Sequence, residues 1–331
     1  MGSAAPSATG QRVAWLELPA AVRRAVERRL GGTVAAAVTQ PGGFSPGVAA
    51  RLRLHGGGRA FVKAISADLN PDSPGIHRSE AAIAAALPTA APAPRLLASF
   101  EEDGWVVLLF EDVAGRMPAT PWDREELDRV LAAIQELAVS LSPSPVAAPP
   151  AAERFAETFT GWRDLSEALE TGQDDLADID GWAIDNLTEL VELESGWQAA
   201  IAGNTLAHAD LRADNILLTA DRVVIVDWPW AVRSVPWLDL ALFLPSVGMQ
   251  GGPDPESLFG AHPLGAVADP AEVTSLVTAL AGFFLAHGRR PPPPGLPTVR
   301  AFQLAQGAVA LDWLRTRLAD STGDGSRPGV G

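Results

Sequence analysis

The residues best placed to do chemistry lie in one short stretch, Leu206-Ala207-His208-Ala209-Asp210-Leu211-Arg212-Ala213-Asp214-Asn215-Ile216-Leu217-Leu218, followed by Val223-Val224-Ile225-Val226-Asp227-Trp228. Its polar skeleton is His-x-Asp-x-x-x-x-Asn, then an apolar strand, then Asp. A carboxylate such as Asp210 can accept the proton of a hydroxyl. Asn215 and Asp227 offer oxygen ligands to a hard cation such as Mg²⁺, which takes few protein ligands and fills its shell with phosphate oxygens. A second signal is compositional. The chain has 25 lysines and arginines, and reading along it Lys63 is the one lysine among them. Arginine and lysine differ in shape and hydration. A lysine that survives such a bias marks a position that needs a compact ammonium on a long stem, unless it is a chance survivor at a surface position.

These residues need elements to hold them. Ile216–Leu218 and Val223–Val226 read as two strand stubs joined by Thr219-Ala220-Asp221-Arg222. The polar residues before and after them then form a loop on a rigid hairpin, and the spacing returns Asp227 to the end where Asn215 sits. Upstream, Thr33–Thr39, Val48–Leu54 and Arg59–Ile65 read as strands, the last carrying Lys63. Ser73 to Leu87 reads as a helix capped by Ser73 with Pro74 at its first position. Arg95–Phe100 and Trp105–Phe110 flank a hairpin turn at Glu101-Glu102-Asp103-Gly104. A helix is expected over Leu18–Leu30, and beyond Asp112 over Asp123–Leu141, Ala151–Glu170, Ile179–Ala202, Pro236–Leu244, Pro270–His287 and Thr298–Leu318. The expected organisation is a small β-rich lobe over 11–112 and a larger helical lobe over 113–319, with flexible ends at 1–10 and 320–331.

Composition narrows the function. With 331 residues, 47% apolar and 20% charged, the chain can bury a core as one large domain or two lobes. It has no cysteine, which excludes disulfide scaffolds, zinc–thiolate sites, iron–sulfur clusters and cysteine nucleophiles. No Gly-x-Ser-x-Gly elbow occurs. The net charge of −15 disfavours nucleic acid and anionic membranes as partners. It suits a cationic substrate, although solubility accounts for it equally well. No apolar run approaches the ~18 residues of a membrane span, and Met1–Gly10 has neither a basic nor an apolar region of a secretory signal. A cytoplasmic location is expected.

The segment His208–Asp227 resembles the catalytic and metal-binding loops of the protein-kinase-like fold, and in detail it is similar to the aminoglycoside phosphotransferase and choline kinase branch. Trp228 after the second Asp and Pro236-Trp237-Leu238-Asp239-Leu240-Ala241 downstream also match that branch. The resemblance spans about residues 33–245. It implies a two-lobed α+β kinase-like fold and transfer of the γ-phosphoryl of ATP (or GTP) to a hydroxyl of a small molecule. It implies Asp210 as base, and Asn215 and Asp227 on Mg²⁺. It implies Lys63 on the α/β-phosphates, with Glu80 of the following helix as its ion-pair partner. Gly42-Gly43-Phe44-Ser45-Pro46-Gly47 falls where the phosphate-covering loop belongs. Glu111 and Val113 fall at the hinge, where backbone groups would meet adenine. His208 and Asp239 would brace the loop. His55 and His77, on a turn and a helix, read as exposed.

Two departures stand out. Arg212 occupies a position where related kinases carry Lys or His, and a cation there would stabilise the transferring phosphoryl; its alternative is an ion pair with Asp214 or Glu80. Trp228-Pro229-Trp230 replaces the residues that usually follow the second Asp. The acceptor is left open between an aminoglycoside-like cation and a metabolic amino alcohol, sugar or amino acid. A nucleotide-binding pseudokinase is the third reading. The acidic stretch Asp174-Asp175-Leu176-Ala177-Asp178-Ile179-Asp180, with Asp164, Glu167 and Glu170 before it, is either a solvated face or an acidic acceptor wall suited to a cation. No nucleic acid or membrane partner is expected, and the sequence does not address oligomeric state.

Overall fold

A computed structural model describes residues 12–40, 42, 46–293 and 296–323. The glycine-loop residues Gly43, Phe44 and Ser45, the expected flexible end at 1–10 and all but the first four residues of the one expected at 320–331 lie outside the described residues, while 320–323 belong to the last helix. Helix α1 (Ala20–Leu30) leads into strands β1 (Val34–Thr39), β2 (Val48–Leu54) and β3 (Arg59–Ser66), helix α2 (Ser73–Ala86), and strands β4 (Leu96–Glu102) and β5 (Trp105–Phe110). The strands form one antiparallel sheet in the order β1-β2-β3-β5-β4.

Side chains alternate across a strand, and that alternation sorts the sheet into two faces. Ala50 and Leu52 of β2, Val62 and Ala64 of β3, and Val107 and Leu109 of β5 pack under Val22 and Val26 of α1. Ile65 of β3 and Val106, Leu108 and Phe110 of β5 meet Ala81 and Ala84 of α2 on the other face. Lys63 lies between Val62 and Ala64 in the sequence, so the period of two turns its stem toward the α2 face. At the end of the expected glycine loop, Gly47 has φ 98°, and a Cβ there would lie 2.5 Å from the Ala64 carbonyl oxygen. Only glycine lets β2 start this close to β3. The β4–β5 turn is tighter than the four residues expected: Asp103 and Gly104 both have positive φ (51° and 76°), the two-residue hairpin geometry. Helix α2 is capped at Asp72, with Ser73 as its first residue and Pro74 second. The Asn70 side chain accepts from the backbone N–H of both Asp72 and Ser73 at 3.0 Å, which fixes that start.

The remainder is mainly helical. It comprises α3 (Arg124–Ser140), α4 (Ala151–Arg154), α5 (Gly161–Glu170), α6 (Gly181–Asp185), α7 (Leu187–Glu194) and α8 (Trp197–Ala200), then short strands β6 (Thr205–Ala207), β7 (Ile216–Leu218), β8 (Val223–Ile225) and β9 (Val232–Ser234). Helices α9 (Leu238–Met249), α10 (Pro255–Ala261), α11 (Pro263–Ala266), α12 (Pro270–Gly288) and α13 (Val299–Gly323) complete it.

Three expectations change here. The helix expected over Ala151–Glu170 is split into α4 and α5 by a turn in which the Phe155 and Phe159 rings stack at 5.0 Å. Helix α5 then begins at Gly161, where a Cβ would lie 2.1 Å from the carbonyl of Gly282 on α12. Its first N–H groups donate across to Glu194 of α7, Trp162 at 2.9 Å and Arg163 at 3.1 Å. The helix expected over Ile179–Ala202 is three pieces: Asn186 bends back to donate to the Trp182 carbonyl at 2.7 Å, and Ser195-Gly196 separates the other two. Finally, α12 is long and apolar enough to cross a membrane, which the sequence reading did not anticipate. Yet 72% of its apolar window is buried inside this fold, packed against α5 and α13. Strands β6 and β9, three residues each, are too short to show a periodicity and went unread.

Candidate active site

Strands β7 and β8 pair Ile216 with Ile225 and Leu218 with Val223. The Val226 N–H donates to the Asn215 carbonyl at 2.9 Å, which sets Asn215 and Asp227 at the same end of the hairpin. The loop before it is held from below. Asp239, near the start of α9, accepts from the N–H of His208 (2.8 Å) and of Ala209 (2.7 Å) with its two oxygens. Ala209 and Asp227 both have left-handed backbones, φ 65° and 69°, which aspartate tolerates and alanine rarely adopts. Such strain needs a frame that over-determines it, and Asp239 and the hairpin supply one.

His208 has no solvent exposure. Its Nδ1 accepts from the Asp210 N–H (3.2 Å), so Nε2 carries the proton and donates to the Val226 carbonyl at 3.0 Å. Burial pushes it down to about 4, leaving it neutral near pH 7 and committed on both nitrogens. It cannot also serve as a base.

Asp210 receives Nδ2 of Asn215 at 3.3 Å on Oδ2 and the Arg212 guanidinium on Oδ1. Asn215 also donates to the Asp210 carbonyl at 2.8 Å. Burial lifts the Asp210 carboxyl to about 7, with Arg212 opposing. Arg212 reaches Asp214 as well, at 3.1 and 3.2 Å, so it braces both carboxylates and does not reach Glu80 as its ion-pair partner.

Across the cleft, the Lys63 ammonium sits between two carboxylates, 2.6 Å from Glu80 and 2.7 Å from Asp227. Burial works against its charge, but Asp227 and Glu80 hold the ammonium above its usual value. The same burial opposes the charge on Asp227, yet Lys63 brings that carboxyl down to about 2. Glu80, buried behind the lysine, is pushed upward by burial while Lys63 opposes. The structure thus brings Lys63, Glu80 and Asp227 into one ion cluster. At the hinge, Asp112 is gripped by Arg51 (2.6 Å) and Arg59 (2.7 Å), and Arg51 also donates to the Val113 carbonyl at 3.1 Å.

Two cavities open on this loop. One, of about 350 Å³, lies between the sheet and the hairpin and is lined by Val48, Phe61, Lys63, Phe110, Leu217 and Asp227 among others. Gly42, Glu80, Glu111, Val113 and Asn215 also border it. The other, of about 370 Å³, lies on the helical side and reaches Asp210 and Arg212 from below. Among the described residues no cluster of three or more His, Cys, Asp or Glu could hold a metal by itself. Asn215 and Asp227 both border the first cavity, which Glu80, Glu111, Asp112 and Asp214 border as well. Two oxygen ligands suit an Mg²⁺ ion that takes its other ligands from phosphates and water.

Residues 41–276 match the sequence model of a phosphotransferase enzyme family (APH), most of the chain. The chain belongs to that family. It is a small-molecule phosphotransferase, and membership implies ATP, a divalent metal and a small-molecule acceptor. No curated protein matches it by sequence. Among solved structures it is similar to the choline kinase LicA from Streptococcus pneumoniae, with a TM-score of 0.56, 12% identity, and coverage of 89% of this chain and 98% of that one. It is also similar to a choline/ethanolamine kinase family protein from Mesorhizobium loti, with a TM-score of 0.51, 19% identity, and coverage of 92% and 95%. At such identities the likeness shows the fold, which is kinase-like with a β-rich N-terminal part and a helical C-terminal part.

Several features of this phosphotransferase differ from the sequence reading. His77 is buried, not exposed; its Nδ1 lies 3.1 Å from the Ser73 carbonyl, and burial with Lys63 nearby pushes it down to about 4. The acidic stretch does not border either cavity. Asp174 and Asp178 pair with Arg289 at 2.8 and 2.6 Å, Asp180 pairs with Arg315, and Asp164 lies 3.6 Å from Arg290. Sequence reasoning missed Arg12 and Arg51 at the first cavity, and Arg154, Phe155, Phe159, Trp230 and Phe302 at the second. The Arg51–Asp112–Arg59 clamp leaves one readable trace, an Asp just after a buried apolar strand. Asp112 is 2% exposed, so Asp112→Ala leaves two guanidiniums short of a partner. Arg59 is largely exposed and adds little, so we expect a loss of about 1–2 kcal/mol together with a raised nucleotide KM. Thermal denaturation and steady-state kinetics check the two effects separately.

Proposed function

We propose that the protein transfers the γ-phosphoryl of ATP to a hydroxyl of a small molecule. The observation that carries this reading is the division of one loop between two cavities: Asp214 and Asn215 border the sheet-side cavity with Lys63 and Asp227, while Asp210 and Arg212 border the helical one. A donor phosphate in the first and an acceptor hydroxyl in the second would meet at Asp210.

In this reading the nucleotide base lies between Val48 and Phe61 on one side and Leu217 on the other. Its edge meets the backbone at Glu111 and Val113. The N–H of Glu111 donates to the Arg95 carbonyl and the Val113 carbonyl accepts from Arg51, so the Glu111 carbonyl and Val113 N–H are the groups assigned to the base. Lys63, held by Glu80, binds α/β-phosphate oxygens. Asn215 and Asp227 would hold Mg²⁺, which neutralises phosphate charge when bound. Gly42 and Gly47, with the neighbouring Gly43, Phe44 and Ser45, would cover the phosphates.

Asp210 accepts the acceptor's hydroxyl proton as the oxygen attacks the γ-phosphorus. The bond from that phosphorus to the β,γ-bridging oxygen breaks, and ADP leaves with the electron pair. Arg212 keeps Asp210 oriented and brings positive charge to the transferring group. The work is mainly positioning and electrostatic stabilisation.

The test is ADP release from Mg-ATP across a panel of hydroxyl compounds, with nucleotide binding followed by thermal shift. Acceptor-dependent ADP release that requires Mg²⁺ is the expected result. Failure to bind ATP at all would sink the proposal. An acidic cationic-acceptor wall does not support an aminoglycoside, because none of its carboxylates borders either cavity and Asp164, Asp174, Asp178 and Asp180 sit against arginines.

A further inference from the structure

The helical-side cavity has its own chemical character, and the following inference rests on its being the acceptor site of the phosphotransfer proposed above. Its walls are aromatic: Phe155, Phe159, Trp230, Phe283, Phe284 and Phe302. Among the described residues that line it, Asp210 is the sole carboxylate. Its other ionisable groups are Arg154, Arg212 and His287. Arg212 is held by Asp210 and Asp214. His287 is kept neutral by burial and by Arg290, pushed down to about 4.

Arg154 is different. Its guanidinium lies over the Trp230 ring, 4.6 Å from the centroid, and its strongest hydrogen bond is a long one of 3.4 Å to the Pro229 carbonyl. Its Nε is buried with no hydrogen-bond partner, and among the described residues no carboxylate lies within ion-pair distance. A half-buried guanidinium with a buried, unpaired Nε and no counter-ion is costly. Burial indeed lowers its pKa, and no neighbouring charge opposes that. Arginine in such a place is suited to a planar, bidentate oxygen anion.

A polycation is ill matched to this cavity. It would bring positive charge beside Arg154 and find only Asp210, which is already bonded to Arg212. A quaternary ammonium could use aromatic faces, but Arg154 already occupies that of Trp230. We propose that the acceptor is a hydroxyl compound with an apolar, ring-bearing body and a carboxylate, and that Arg154 binds the carboxylate while the aromatic walls take the body.

A matched series tests this: para-hydroxymethyl benzoate, the corresponding benzamide and the corresponding benzylamine, with kanamycin and choline as cationic probes. Each is followed by ADP release and by direct calorimetric binding. The expected order of kcat/KM is benzoate, then amide, then amine, with about tenfold or more between the first and the last. In Arg154→Gln the benzoate-to-amide ratio collapses toward one, and Arg154→Lys restores part of it; Tm and ATP binding report that both variants fold. The inference is overturned if the amine, kanamycin or choline is the best substrate, if Arg154→Gln leaves the ratio unchanged, or if benzoate neither binds nor reacts. Failure of the phosphotransfer reading looks different: benzoate then binds in an Arg154-dependent way, which upholds the cavity assignment, but no probe releases ADP.

Discussion

Asp210→Asn is expected to lower kcat by about 10²–10⁴-fold, the range attributed to a positioned general base, while ATP still binds. The separation follows from geometry. Asp210 borders the helical cavity, whereas the lysine cluster of Lys63, Glu80 and Asp227 borders the other one and makes no bond to it. Asn215 and Arg212 both donate to the Asp210 side chain, one to each oxygen. An asparagine can accept on only one of those atoms, so one donor loses its partner and the loop loosens slightly. Asp210→Ala removes both acceptors and separates that structural cost from the chemical one: the two variants share the kcat loss but differ in Tm. Single-turnover kinetics with saturating ATP provide the check. A kcat within tenfold of the parent would remove Asp210 from the chemistry.

The second large effect is structural. Gly161→Ala places a Cβ 2.1 Å from the carbonyl carbon and oxygen of Gly282 and 2.7 Å from the Phe283 nitrogen. These are backbone atoms inside α12, which cannot rotate away as a side chain tip would. Overpacking against side chains costs ~1–3 kcal/mol, and a clash with buried backbone belongs at or above the top of that range. Helix α5 must move off α12 and loosen its two bonds to Glu194. Because Phe159 precedes this crossing and Phe283 follows Gly282 on α12, the helical-side cavity deforms with it. We expect a clearly lowered Tm and a raised acceptor KM, with nucleotide affinity preserved. An unchanged Tm would mean that the two helices do not cross so closely.

The sheet-side half of the candidate site was legible because its residues are local or periodic. Lys63 stood out against the arginines, the strand alternation fixed the face it shares with α2, and Glu80 is a carboxylate of that helix. The loop from His208 to Asp227 could be read because its polar residues interrupt two apolar stubs at regular spacing. The helical-side half obeys no such rule. Arg154 ends α4 and Phe159 lies in the turn that follows, where an apparently continuous helix is interrupted, and they meet Trp230 and Phe302 only through the packing of α4, α12 and α13. The acidic stretch misled for the same reason. Its neutralising partners, Arg289 and Arg315, lie more than a hundred residues away in sequence. His77 looked exposed because a polar residue on a helix gives no sign of which face it occupies.

The lone lysine has a consequence for labelling. The described chain offers amine-directed reagents a single ε-amino group, and that group is held protonated between two carboxylates. An acylating probe that waits for the free amine would therefore react there slowly, and each molecule modified at Lys63 would carry one mass increment at one known position. Because the α-amino group is acylated too, the increment is read on the peptide that holds Lys63, and its rate there is a clock for how often the ion cluster opens, one that runs without mutation, dye or tag.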